Sequence, residues 1–188
     1  KDGSIVPFES LRFDKGKMTI TCGDLKDQAV SLERLAEIRF RSDRFVYLSD
    51  LTPAKCEQAG LFDIAFPFKR DRSCTGGPLK LAGTTYAKGL GLHSRCIVSY
   101  ELGENFNLLV ALAGIDDSTG GKGNAQVRIL ADGKDIIEPV ILTGGSKPVP
   151  LRCKIDGVKR LTIQVDFGPD GLDVGDRVDL VEARLVRK

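Results

Sequence analysis

The sequence predicts an all-β fold of the sandwich or jelly-roll type. Three observations carry this. Apolar residues recur with a period of two, Gly- and Asp-rich turn signals separate the runs at short intervals, and no stretch sustains a helical period. Side chains alternate across a strand, so a period of two buries one face and wets the other.

Near the amino terminus, Lys17 to Cys22 alternates, with Met18, Ile20 and Cys22 inward. Ser31 to Leu35 reads as a helical turn and Ala36 to Arg41 as a second strand. This part resembles a few strands of a small barrel. Residues 1–42 are predicted as a small amino-terminal β segment, and Arg41-Ser42-Asp43-Arg44 marks the boundary with a main domain at 43–188.

Within the main domain, Cys96, Val98, Tyr100 and Leu102 form one apolar phase. Ala125, Val127 and Ile129 form another, as do Leu151, Cys153 and Ile155, and Leu161, Ile163, Val165 and Phe167. Phe106 to Ala113 is apolar on both phases, as expected of a central strand covered on both sides. Val178 to Val186 makes the last strand. Gly76-Gly77-Pro78, Gly120-Gly121, Asp132-Gly133, Gly144-Gly145, Asp156-Gly157 and Asp170-Gly171 supply the turns.

Composition limits the functions available. The chain has 188 residues, 41% hydrophobic and 29% charged, a globular composition that suits one full domain with a small appendage. A net charge of +2 argues against a nucleic-acid partner, which calls for a marked basic excess. No apolar run reaches the ~18–20 residues of a membrane helix. The chain starts at Lys1, as a processed or excised piece would.

Five cysteines (Cys22, Cys56, Cys74, Cys96 and Cys153) make no C-x-x-C motif, and an odd count leaves at least one unpaired. Cys96 and Cys153 fall in apolar phase and read as buried small hydrophobes. Cys56 and Cys74 fall in loop-like stretches, where a bridge between them is open.

Catalytic motifs are missing. There is no phosphate-binding loop, no complete dinucleotide glycine fingerprint, no G-x-S-x-G elbow and no H-E-x-x-H. The single histidine, His93, is the only possible centre of a Ser-His-Asp triad. On a continuous strand its neighbour Ser94 would point to the opposite face. No residue is assigned a catalytic role.

Tyr86 to Arg95 is the least generic stretch: Tyr-Ala-Lys-Gly-Leu-Gly-Leu-His-Ser-Arg. In an extended chain His93 and Arg95 share a face. Imidazole both donates and accepts while guanidinium donates in a fixed fork, a combination suited to hydroxyl groups. A buried His93 with an ion-paired Arg95 is the other reading.

Tyr47-Leu-Ser-Asp-Leu51, Gly77-Pro-Leu79, Lys88-Gly-Leu-Gly-Leu-His-Ser94, Gly114-Ile-Asp-Asp117 and Asp179-Leu-Val-Glu-Ala-Arg-Leu185 follow one another in order. The set resembles the NPCBM family (carbohydrate-binding module family 51) over about residues 45 to 187. The resemblance implies a galactose-binding-domain-like jelly-roll β-sandwich for residues 43–188, beside the small amino-terminal β-rich segment. It implies non-catalytic binding of galactose-type glycans or cell-envelope polysaccharide, in an extracytoplasmic bacterial protein. An envelope protein–protein module on the same fold is the alternative.

By the same resemblance the sugar contacts are His93 and Arg95, with Asp50, Arg72 and Tyr86 as further candidates. A structural calcium is implied too. It would take 6–8 oxygens, with Asp116, Asp117 and Glu182 as the carboxylates. Asp116 and Asp117 serving only to cap and turn the chain is the other reading of that pair. Where relatives often read Asp-Trp, this chain has Asp179-Leu180, and it holds no Trp at all. An aromatic platform for a sugar's C–H face would then fall to Tyr86, Tyr47, Phe66 or Phe68. Ala65-Phe66-Pro67-Phe68 reads equally as an exposed tip or as core.

Overall fold

The computed structural model describes residues 6–34, 38, 43–59, 66–103 and 105–188. Of the expected strand Ala36 to Arg41, all but position 38 lies outside them, as do Ala65 and the first half of the Arg41–Arg44 boundary. The chain divides into two compact units, Lys1–Arg41 and Ser42–Lys188.

In the first unit β1 (Ser10–Asp14), β2 (Lys17–Cys22) and β3 (Leu25–Val30) form an antiparallel meander. Met18 and Ile20 are buried as their phase predicts, and a single 3-10 turn follows at Leu32–Arg34. β1 and β3 carry a weak period because most of their side chains are exposed.

Among its described residues the second unit holds fourteen strands: β4 (Phe45–Tyr47), β5 (Lys55–Gln58), β6 (Lys69–Arg70), β7 (Leu79–Leu81), β8 (Thr84–Tyr86), β9 (Gly89–His93), β10 (Cys96–Glu101), β11 (Phe106–Ile115), β12 (Asn124–Ala131), β13 (Lys134–Asp135), β14 (Val140–Thr143), β15 (Val149–Lys154), β16 (Arg160–Phe167) and β17 (Arg177–Arg187). One six-stranded sheet runs β13-β12-β16-β10-β5, with β14 also on β12. The other runs β15-β11-β17-β9-β6, with β4 also on β17. Most neighbouring strands of the two sheets are far apart in sequence, as in a jelly roll.

The two sheets bury a shared core. Val98, Ile129, Ile163 and Val165 come from the first, and Leu90, Leu109, Leu180 and Leu185 from the second. Every alternating run becomes a strand in the expected phase. Cys96 and Cys153 are 0% and 2% exposed and fill the core as small apolar groups. The hairpin β7–β8 stands apart, and a second small core of Leu79, Leu81 and Val181, with Tyr86 and Leu112 against it, seats it on the outside of β17 and β11.

The glycines of the Gly89-Leu-Gly91 segment serve close packing. A Cβ at Gly91 would lie 2.3 Å from the Arg72 carbonyl oxygen and 2.5 Å from the Cys74 amide nitrogen. A Cβ at Gly89 would lie 2.7 Å from the Leu180 carbonyl oxygen. Only glycine lets the 72–74 loop and β17 come this near to β9.

Candidate functional site

β9 ends at His93, and Ser94–Arg95 turn the chain into β10. Arg95 sits at φ 60°, in the left-handed region. This turn corrects the expected geometry. His93 and Arg95 do not share a strand face, because no continuous strand runs through both. His93 is 6% exposed, with its ring stacked on Phe66 at a centroid distance of 4.5 Å. Ser94 Oγ does not point away: it lies 3.2 Å from His93 Nδ1.

Burial is the main effect on His93 and lowers its pKa, with Arg177 acting the same way and Asp173 opposing. Arg177 is its antiparallel partner in β17. The imidazole is thus a neutral packed group that fixes the turn carrying Arg95. Asp176, 0% exposed, fastens the same end of the sandwich by accepting from the Asn124 amide at 2.9 Å. Burial pushes its pKa up to about 6.

Arg95 itself is exposed, and its guanidinium makes no hydrogen bond or ion pair among the described residues. It overlooks an open hollow of about 570 Å³, within the roughly 300–1,000 Å³ range of small-ligand sites. Glu57, Gln58, Gln164 and Asp166 share the lining, with Ile97 as an apolar element. Register explains the convergence: Glu57 pairs with Ile97, and Ile97 with Gln164, across β5, β10 and β16. Glu57 is ion-paired with Lys55 at 2.7 Å, Gln58 Oε1 accepts from Phe68 N at 3.1 Å and Gln164 Oε1 from Arg128 at 3.5 Å, which leaves the Arg95 guanidinium to donate and the remaining carboxylate oxygens to accept from hydroxyls.

Asp50, Arg72 and Tyr86 lie elsewhere. β9 is five residues long, so its ends are roughly 15 Å apart. Beside its first residue, Lys88 Nζ binds Asp50 Oδ1 at 2.5 Å and Asp71 Oδ2 at 2.7 Å, and lies 5.5 Å from the Tyr47 ring centroid. Burial opposes the Lys88 charge, but the two carboxylates outweigh it and raise its pKa. Tyr47 Oη donates to Glu182 Oε2 at 3.2 Å, and Arg184 Nη1 binds the same oxygen at 3.2 Å. Asp50 and Glu182 are therefore ion-paired members of this network. Arg72 Nη1 donates to the Gly76 carbonyl at 3.3 Å, and Tyr86 packs into the small core under the β7–β8 hairpin.

The candidate calcium carboxylates do not converge. Among the described residues no group of three or more His, Cys, Asp or Glu side chains is placed to hold a metal ion. Asp117 spends both oxygens on the β7–β8 turn, accepting from Ala82 N at 2.9 Å and Gly83 N at 2.7 Å. Asp116 Oδ1 caps the following turn through Ser118 N at 2.8 Å. Asp116 Oδ2 and Asp179 Oδ1 are buried and meet no donor. Burial above all, then Asp116, pushes the Asp179 pKa up to about 9. Asp117 and Glu182 are held by other partners, so among the described residues the three carboxylates are not brought together.

Sequence reasoning missed Glu57, Gln58, Lys88 and Asp71. Gln164 and Asp166 were legible as the wet phase of their strand, but only sheet pairing brings them to Arg95. Of the possible platform aromatics, Phe66 and Phe68 are half-buried, Phe66 on His93 and Phe68 against the main core.

The fold defines a jelly-roll β-sandwich module. A family 51 carbohydrate-binding module from Clostridium perfringens GH95, solved in complex with methyl-galactose, has the same fold. The TM-score is 0.68 at 22% identity, covering 76% of this chain and 99% of that one. The sequence model of the NPCBM/NEW2 domain matches residues 44–186, and the chain belongs to that family. A Renibacterium salmoninarum protein bearing the name endo-alpha-N-acetylgalactosaminidase is 34% identical over 90 residues, 48% of this chain and 6% of that protein. Alpha-1,3-galactosidase B of Akkermansia muciniphila is 26% identical over 115 residues, 58% of this chain and 14% of that enzyme. The chain thus spans a small part of both relatives.

Proposed function

We propose that the jelly-roll unit binds galactose-type sugars, with Arg95 as the principal contact, and serves an extracytoplasmic bacterial protein whose catalysis lies outside residues 43–188. The observation that carries this reading is the Arg95 guanidinium, unpaired among the described residues, over a hollow lined by Glu57, Gln58, Gln164 and Asp166. Arg95 donates to a vicinal pair of sugar oxygens, Asp166 and Glu57 accept from hydroxyls, and Gln164 does either. Ile97 offers apolar surface in place of the missing Trp. His93 positions the turn rather than touching sugar. The names of both relatives and the methyl-galactose complex of the solved module support a galactose-type ligand.

The test is titration of galactose, N-acetylgalactosamine and glucose by calorimetry. Binding of the first two, weakened about tenfold or more by Arg95→Ala with an unchanged circular dichroism spectrum, supports the reading. No binding at millimolar sugar overturns it. It would favour a protein–protein module on the same fold, for which the exposed Leu172 (53%) and Val174 (61%) offer an apolar surface.

A further inference from the structure

Two cysteines meet at the edge of the β10 sheet. Cys56 stands opposite Val98 and Gln58 opposite Cys96, so Cys56 and Cys96 occupy a diagonal pair on one face. Each thiol affects the other's ionisation: Cys96 acts to lower the Cys56 pKa and Cys56 to raise that of Cys96. Cys56 is exposed and Cys96 is buried, and both are free. The Cys56–Cys74 bridge left open by the sequence is not formed, and Cys74 is itself buried.

We propose that Cys56 and Cys96 form a reversible disulfide by exchange with a small-molecule disulfide, locking β5 against β10. The Cys56 thiolate attacks one sulfur of the reagent and releases one thiol, leaving a mixed disulfide. Cys96 then loses its proton, attacks Cys56 Sγ and expels the second thiol. Two protein thiols are oxidised and one small disulfide is reduced to two thiols. Cys56 reacts first because it is accessible. Burial pushes Cys96 up to about 12, so it ionises too rarely for anything but the sulfur already beside it.

The backbone permits this closure. Diagonal Cα atoms lie roughly 7–8 Å apart, and a disulfide spans at most about 6.8 Å, so β5 must draw in by about an ångström. β5 is a four-residue edge strand whose backbone pairs, among the described residues, with β10 alone, and Gln58 Oε1 also accepts from Phe68 N at 3.1 Å. Glu57 and Gln58 move with it, and both line the hollow beside Arg95. The consequence for sugar, which rests on the function proposed above, is a change in affinity on oxidation.

The test uses the full chain carrying Cys22→Ser, incubated with oxidised glutathione at mildly alkaline pH, then denatured for thiol counting and mass spectrometry. The expected result is a loss of two thiols, no retained glutathione and a Cys56–Cys96 peptide, all reversed by reductant. Adding Cys96→Ala should strand glutathione on Cys56. A stable glutathione adduct at Cys56 while Cys96 is present, a Cys56-linked dimer, or no thiol loss would each overturn the proposal. None of these readouts involves sugar, so a failure of sugar binding is distinguishable. If sugar binds, oxidation should shift its affinity about threefold or more, and an unchanged affinity overturns the coupling.

Discussion

His93 and Phe66 lie face to face, their ring centroids 4.5 Å apart and their planes 24° from parallel. The stack closes the end of β9 and holds the turn from which Arg95 projects. Phe66→Ala and His93→Ala should each cost roughly 1–3 kcal/mol of stability, read by urea denaturation. Sugar affinity should fall less in His93→Ala than in Arg95→Ala. Equal losses would place the imidazole in contact with sugar.

Asp179 sets an alkaline limit on stability. Its folded pKa is raised from 3.8 to about 9, first by burial and then by Asp116, with Asp117 adding to the effect. The folded chain therefore keeps a proton that the unfolded chain has lost, so stability declines as pH rises from about 4 towards 9. Asp179→Asn removes the ionisation while keeping an acceptor for Lys80 N, now 2.9 Å from Asp179 Oδ2. The melting temperature of the variant relative to wild type should rise between about pH 5 and pH 8. A constant difference would mean that Asp179 is already ionised in the fold.

Gly91→Ala should cost more than 3 kcal/mol or prevent folding, because the backbone of Arg72, Ser73 and Cys74 lies within 2.5 Å of the new Cβ. Gly120→Ala makes the control. No atom lies within 4 Å there, and its φ of 64° should cost only about 1 kcal/mol. Paired chemical denaturation curves decide this.

Asp117→Ala removes two acceptors from the β7–β8 turn and should destabilise by roughly 1–3 kcal/mol. The loss should be the same in calcium and in chelator, as expected of a turn residue. A loss confined to calcium-containing buffer would restore a ligand role to Asp117.

Much of the fold was legible because it depends on a local signal. Leu161, Ile163 and Val165 alternate with Thr162, Gln164 and Asp166, and that alone assigns a half-buried strand. The functional reading followed the ordered motif set for the same reason. The site was less legible. In the sequence His93 and Arg95 are two apart and look like partners, but one residue at φ 60° sends them to different places. Asp116 and Asp117 look like a metal pair, yet their oxygens are directed to Ser118, Ala82 and Gly83.

The sequence by itself determined the strand phases, the jelly-roll class and the membership of the sandwich in its family, since each rests on residues close together or on motifs in order. Only the tertiary structure decided what surrounds Arg95, what seals His93 and which carboxyls are paired. Those outcomes depend on register between strands tens of residues apart, such as Glu57 beside Ile97 and Ile97 beside Gln164. Sheet pairing and burial set that register across the whole core, so no local pattern in the chain encodes it.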